Sequence, residues 1–254
     1  MLFKAPHDPY IPDPRDAALF KDVDFPHPPS NFDALPEFLR TSEARTRYDK
    51  WIAKAGYAEF ARNYLRCVAG VDRAVGRIAE AVDPDTLLAF TSDNGFLLGE
   101  HGLIEKWHMW EESIRVPLFV RGPGVRPGAR DALALNIDLG PTILDYAGLP
   151  ATGMDGRSLR PILEGRHAPW RRDFFYEHHY HHKGRIPRTE GVRTERWKYV
   201  VYFEPPAEQL FDLLADPREM RDLARDPAAA GQLDALRARY RELAGALPPP
   251  VLPR

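Results

Sequence analysis

The chain has 254 residues, enough to bury one substantial core or one core with a small satellite. Lys and Arg number 35 against 37 Asp and Glu, a formal charge of −2, so no global positive field gathers nucleic acid or an anionic membrane. Hydrophobic residues at 44% exclude wholesale disorder, no apolar run reaches the ~20 residues of a membrane span, and the single cysteine, Cys67, excludes an internal disulfide framework or a cysteine-based zinc cluster.

In chain order, Met1-Leu2-Phe3 predicts a short buried strand that runs into a polar loop, without the basic-then-apolar pattern of a secretory leader. Eight prolines between residues 5 and 40 predict loop. Tyr57, Phe60, Tyr64, Val68, Val71, Val75, Ile78 and Val82 recur at steps of three and four, one continuous helical stripe that Pro84 ends. Thr86-Leu87-Leu88-Ala89-Phe90-Thr91 is then expected to be a strand buried on both faces, as in a parallel sheet. Val116-Pro117-Leu118-Phe119-Val120 predicts a second buried strand, and residues 139–147 a short helix stopped by Gly148 and Pro150. Residues 165–169 have the texture of a linker. Strands are expected at Phe174-Phe175-Tyr176, over residues 197–203 and over residues 209–213, before a last helix with Leu233, Leu236, Tyr240, Leu243 and Leu247 on one face. Strands followed by a packing helix predict a small α+β subdomain over residues 166–254.

Ser92-Asp93-Asn94-Gly95 follows the strand at 86–91, where ligands collect in open α/β sheets. The adjacent carboxylate and amide oxygens suit a hard divalent cation such as Ca²⁺, but on spacing alone they fit a strand-terminal Asx turn better. Gly99-Glu100-His101-Gly102 and Lys106-Trp107-His108 place cationic groups near the same strand end, and Lys4 with His7 forms a third cationic pair. A lysine beside a divalent ion is explained by an anionic substrate held by both, and otherwise it is a solvated surface group. The Tyr176-Glu177-His178-His179-Tyr180-His181-His182 stretch admits a transition-metal site, a pocket wall or an exposed polar loop. Cys67 lies on the apolar helix and is expected to be a small buried hydrophobe.

Lys4-Ala-Pro-His7, Phe90-Thr-Ser-Asp93-Asn94-Gly95, Gly99-Glu-His-Gly102, Lys106-Trp107 and Glu111-Glu-Ser-Ile-Arg-Val-Pro-Leu118 together resemble the sulfatase family, arylsulfatase-like enzymes of the alkaline-phosphatase superfamily. Arg193-Thr-Glu-Arg-Trp-Lys-Tyr199 and Gln209-Leu-Phe-Asp-Leu213 are similar to that family's C-terminal subdomain. The resemblance implies an α/β fold, the C-terminal part of an alkaline-phosphatase-like sandwich with a mostly parallel sheet. Residues 1–165 would then be the C-terminal half of the catalytic domain. It implies Asp93 and Asn94 as calcium ligands, Lys106 as a contact to sulfate oxygens, and His7 as a second contact that protonates the leaving alcohol. Lys4 and His101 would be neighbours in the same pocket, and the substrate a sulfated small molecule or sugar.

The family's nucleophile is a formylglycine made from Cys or Ser in a Cys/Ser-x-Pro-x-Arg run. Neither Cys67 nor Ser30, Ser42, Ser92, Ser113 or Ser158 has Pro at the second and Arg at the fourth following position. The family's paired aspartates and its Gly-Lys-x-His region are absent too. The chain is therefore expected to be a C-terminal portion, without turnover of its own and prone to aggregation through exposed sheet edges, with a missing N-terminal half as partner. A phosphomonoester or phosphonate hydrolase of the same superfamily, and a non-catalytic remnant that binds anionic glycans, are the alternatives.

Overall fold

A computed structural model describes residues 1–180 and 185–248. In chain order its elements are α1 (Glu37–Arg40), α2 (Glu43–Ala55), α3 (Tyr57–Ala81), β1 (Leu88–Thr91), β2 (Leu97–Leu98), β3 (Ile104–Glu105), α4 (Glu111–Ile114), β4 (Leu118–Arg121), α5 (Leu139–Tyr146), α6 (Arg160–Leu163), β5 (Asp173–His178), β6 (Thr189–Thr194), β7 (Trp197–Phe203), β8 (Pro206–Asp212) and α7 (Ala230–Gly245). No helix among them is long and apolar enough to cross a membrane. The chain divides into two compact units, Met1–Asp83 with Phe96–Trp107, and Pro84–Gly95 with His108–Arg254. The sequence boundary at 165/166 lies inside the second of these.

The first unit is organised by α3. Its apolar stripe does form one helix through Ala81, with Val82 as the extended residue that caps it shortly before Pro84. Phe60 and Tyr64 meet Tyr10, Trp51 and Phe96 in an aromatic cluster with ring centroids 4.9–6.3 Å apart. Cys67 is buried on the same helix, and burial raises its thiol pKa, as a small core residue requires. The proline-rich segment is held by arginines of α3. Arg73 makes a two-point ion pair with buried Asp16 at 2.5 and 2.7 Å, while Arg62 and Arg66 donate to the carbonyls of Phe20, Ala17 and Leu19. Those bonds satisfy loop carbonyls that have no ladder partner. The expected strand at the start of the chain is not formed. Met1 and Leu2 are 93% and 99% exposed, because no described strand pairs with them and a lone strand leaves its backbone groups unbonded.

In the second unit β1 pairs with β4, and the pairing is antiparallel, from Leu88↔Arg121 to Thr91↔Leu118. The strand expected to be buried on both faces in a parallel arrangement therefore lies in a two-stranded ribbon, with Phe119 67% exposed. The larger sheet is an antiparallel meander in the order β5-β6-β7-β8. Val192, Tyr199 and Leu210 stand opposite one another on β6, β7 and β8 and face Leu233 and Leu236 of α7. The stripe on α7 holds through Leu243, while Leu247 falls past the helix end and is 42% exposed.

The other face of that sheet is also covered. Gly191 of β6 lies so close to Met109 and to the Tyr199 carbonyl that a Cβ there would overlap both. Lys198 on β7 shows zero exposure, and its Nζ has three oxygens at 2.8 Å, the Met109 carbonyl, Glu111 Oε1 and Glu219 Oε1. The carbonyl accepts a hydrogen bond, and the two carboxylate oxygens offset the buried charge. Glu219 Oε2 accepts the Glu111 amide at 2.7 Å, and Arg193 pairs with Glu111 Oε2 at 3.2 Å. Two cations and two carboxylates thus tie the 109–111 segment to the middle of the sheet. Burial pushes the Glu111 carboxyl up, but Lys198 and Arg193 outweigh it and the net direction is down.

Leu236→Ala should cost about 2–5 kcal/mol by urea denaturation, because it opens a cavity between α7 and the sheet. Leu214→Ala, at a site 76% exposed, should stay within about 0.5 kcal/mol. Equal losses would place the core elsewhere. A carboxyl whose folded pKa is depressed adds stability above its ordinary value of 4.5 and loses it as pH falls through the folded value. Glu111→Gln should therefore be less stable than wild type at pH 7 and show a shallower loss of urea midpoint on acidification. Parallel midpoint curves would contradict the ion network.

Candidate functional site

β1 ends at Thr91, and the next four residues form a tight polar loop in the second unit. Ser92 Oγ donates to the Asn94 carbonyl at 2.8 Å, the Asn94 amide donates to Asp93 Oδ1 at 2.9 Å, and Asn94 Nδ2 donates to the Gly95 carbonyl at 2.7 Å. The turn interpretation is thus satisfied, but it uses only part of each side chain. Asp93 Oδ2 and Asn94 Oδ1 accept no hydrogen bond from any described residue. Asp93 is exposed and Asn94 half-buried. Gly95 is needed for space and not for a left-handed φ. Its N–H donates to the Ser113 carbonyl at 2.8 Å, and a Cβ would overlap the Glu112 carbonyl oxygen.

Two uncommitted hard oxygens on adjacent residues fit a calcium ion as part of its six-to-eight-oxygen shell. Among the described residues no cluster of three or more His, Cys, Asp or Glu side chains could by itself hold a metal. An ion at this pair would need further ligands to complete its shell.

Lys4, His7, His101 and Lys106 belong to the first unit. The His7 amide donates to the Lys4 carbonyl at 2.9 Å, which puts both residues on one exposed turn. His7 Nδ1 lies 2.7 Å from Asp8 Oδ1. Lys106 is half-buried and makes no ion pair with a described residue, whereas its neighbour Glu105 is engaged by Arg47 at 2.7 Å. The Arg47 guanidinium also lies over the Trp107 ring at 4.9 Å, fixing both flanks of Lys106 while leaving its ammonium uncommitted to a carboxylate.

His101 is fully buried, with φ of 57°, and its Nδ1 is 2.8 Å from Asn31 Oδ1. The flanking glycines share its left-handed backbone, and a Cβ on Gly102 would press on the Phe32 ring at 3.0 Å. The Gly-Glu-His-Gly run is thus a packed turn, and His101 supports its shape from inside.

The histidine-rich stretch divides. His179 Nε2 is 2.8 Å from Glu190 Oε1, and Glu190 Oε2 accepts the Tyr240 hydroxyl at 2.6 Å. Burial lowers the His178 pKa. His181 and His182 lie outside the described residues. Sequence reasoning missed the role of Lys198, although a lysine set inside the apolar Trp-Lys-Tyr-Val-Val run on a buried strand is an available signal.

Comparison with known proteins identifies the family. The sulfatase family model matches residues 3–149, and the model for the C-terminal region of N-sulphoglucosamine sulphohydrolase matches residues 99–245. An N-acetylglucosamine-6-O-sulfatase of Bacteroides thetaiotaomicron is 35% identical over 66% of this chain and 32% of its own length. A choline-sulfatase of Rhizobium meliloti is 32% identical over 89% of this chain and 46% of its own. Among solved structures, BT4656 in complex with its substrate D-glucosamine-2-N,6-O-disulfate superposes with a TM-score of 0.83 at 26% identity, covering 95% of this chain and 64% of that one. The phosphonate monoester hydrolase SpPMH from Silicibacter pomeroyi gives 0.81 at 26% identity, covering 93% and 54%. The chain spans half or less of the length of these curated relatives. Two family models that each cover more than half of the residues, in the order of the motifs, and an alkaline-phosphatase-like α/β fold lead to one conclusion: the chain belongs to the sulfatase family.

Proposed function

We propose that the chain serves in the hydrolysis of sulfate esters of amino sugars, contributing part of the metal site and part of the anion-binding wall. The observation that carries this is the pair of uncommitted oxygens, Asp93 Oδ2 and Asn94 Oδ1, at a strand end in a member of the sulfatase family. Asp93 and Asn94 are assigned as two ligands of a calcium ion, which when bound offsets the negative charge of the sulfate oxygens. Lys106 is assigned as a donor to those oxygens, and the lack of an ion pair with any described residue suits the task. His7 is assigned as a second donor that can pass a proton to the leaving alcohol, with Asp8 orienting its ring. Lys4 shares the turn with His7 and adds positive charge for an anionic substrate, while buried His101 holds the glycine-flanked turn in shape.

Preference for a sugar sulfate is supported by the N-acetylglucosamine-6-O-sulfatase relative and by the glucosamine disulfate in the BT4656 complex. The near-equal likeness to SpPMH supports a second reading, in which the ester is a phosphonate. None of the residues of this chain fits a formylglycine, since no Cys/Ser-x-Pro-x-Arg run occurs, and no step through that group is assigned.

Calcium titration of the 254-residue chain, followed by amide NMR, should shift the Asp93, Asn94 and Gly95 signals. Asp93→Ala should weaken that response about tenfold or more. Adding N-acetylglucosamine 6-sulfate should then move Lys106 and His7. Calcium shifts centred elsewhere and indifferent to Asp93→Ala would remove the metal assignment, and a stronger response to a phosphonate monoester would select the second reading. Release of sulfate from an aryl sulfate by these residues alone should not exceed that of Lys106→Ala. Turnover well above this control would show that a nucleophile is present after all.

A further inference from the structure

The loop that carries Asp93 and Asn94 is attached to the rest of the second unit through Gly95. Its N–H donates to the Ser113 carbonyl at 2.8 Å, and it lies so close to the Glu112 carbonyl that a Cβ there would overlap the oxygen. Glu112 and Ser113 belong to α4, a single turn of four residues that has little stability of its own. The start of this turn is fixed from outside. Lys198 Nζ holds the Met109 carbonyl and the Glu111 carboxylate, Glu219 holds the Glu111 amide, and Gly191 receives the Met109 side chain. Glu219 itself sits at φ of 52°, a left-handed conformation for a non-glycine residue, which the ion network stabilises.

A continuous path therefore runs from β7 through residues 109–113 to Gly95 and the two oxygen donors, all within one compact unit. We propose that Lys198 is a positioning residue for the 92–95 loop: its buried ammonium sets the height of α4 against the sheet, and thereby the placement of the Asp93 and Asn94 oxygens. The proposal rests on the reading of that loop as a calcium ligand pair, and it assigns to the C-terminal sheet a part in the metal site that none of its residues touches directly.

The test compares Lys198→Met with Leu236→Ala, a core substitution in the same unit that disturbs the opposite face of the sheet. The readouts are the Gly95 amide-proton shift, which reports its bond to the Ser113 carbonyl, and the apparent calcium affinity from the Asp93 and Asn94 signals. Lys198→Met should displace the Gly95 amide and weaken calcium binding about tenfold, the size of effect typical of groups that orient metal ligands. Leu236→Ala should lower the urea midpoint but leave both readouts near wild type. If Lys198→Met does not fold, Glu111→Gln, which keeps the shape and removes the charge that Lys198 grips, should move both readouts in the same direction. Unchanged Gly95 and calcium signals in these variants, or equal changes in Leu236→Ala, overturn the proposal. A wild-type chain with no calcium response at 93 and 94 instead removes the metal reading, and the Gly95 shift alone then decides whether Lys198 positions the loop.

Discussion

A lysine ammonium taken fully out of water is costly unless charge and hydrogen-bond acceptors meet it on every side. In this chain Lys198 is such a group, and three oxygens at 2.8 Å meet it. The acceptors come from two stretches far from Lys198 in sequence, residues 109–111 and Glu219, so the arrangement exists only when the sheet, α4 and the turn after β8 are all in place. Replacing such a network by apolar side chains is often harmless or stabilising, whereas removing one partner is not. Its value lies in registration. Arg193 completes the charge balance on Glu111, and the strand that bears Lys198 is packed by α7 on its opposite face. The two faces of one strand thus couple a conventional leucine core to a segment that reaches the 92–95 loop.

Much of this organisation is legible in the amino-acid sequence. The helices α3, α5 and α7 follow from apolar steps of three and four with Pro or Gly stops, and β7 follows from its aromatic and β-branched run. Asp93-Asn94-Gly95 is ambiguous by itself, between a metal pair and an Asx turn, and stands out only beside the other motifs that resemble the sulfatase family. Other features are hidden for physical reasons. β6, with the sequence Thr-Glu-Gly-Val-Arg-Thr, has weak strand propensity, and only the paired strands on both sides and the space at Gly191 make it central. The antiparallel pairing of β1 and β4 is a tertiary choice that an apolar run does not encode. Met1 and Leu2 are apolar enough for a strand, yet strand formation depends on a neighbour, and none is described. Gly95 is conspicuous in the sequence as a turn glycine, but its role is close approach to Glu112 and not backbone freedom.

The functional reading draws on residues of each unit taken by itself. The second unit supplies hard oxygens, Asp93 and Asn94, that local hydrogen bonds leave half used. In the first, Lys106 makes no ion pair with a described residue, and His7 shares an exposed turn with Lys4. Under the proposed reading, the Asp93 and Asn94 oxygens would supply only part of a calcium shell.

The most direct measurement is a crystal structure of the 254-residue chain soaked with calcium and N-acetylglucosamine 6-sulfate. The account predicts an ion at about 2.3–2.6 Å from the Asp93 carboxylate and the Asn94 side-chain oxygen, with the sulfate group on the same ion. An ion bound elsewhere, with those two oxygens still facing solvent, would contradict it.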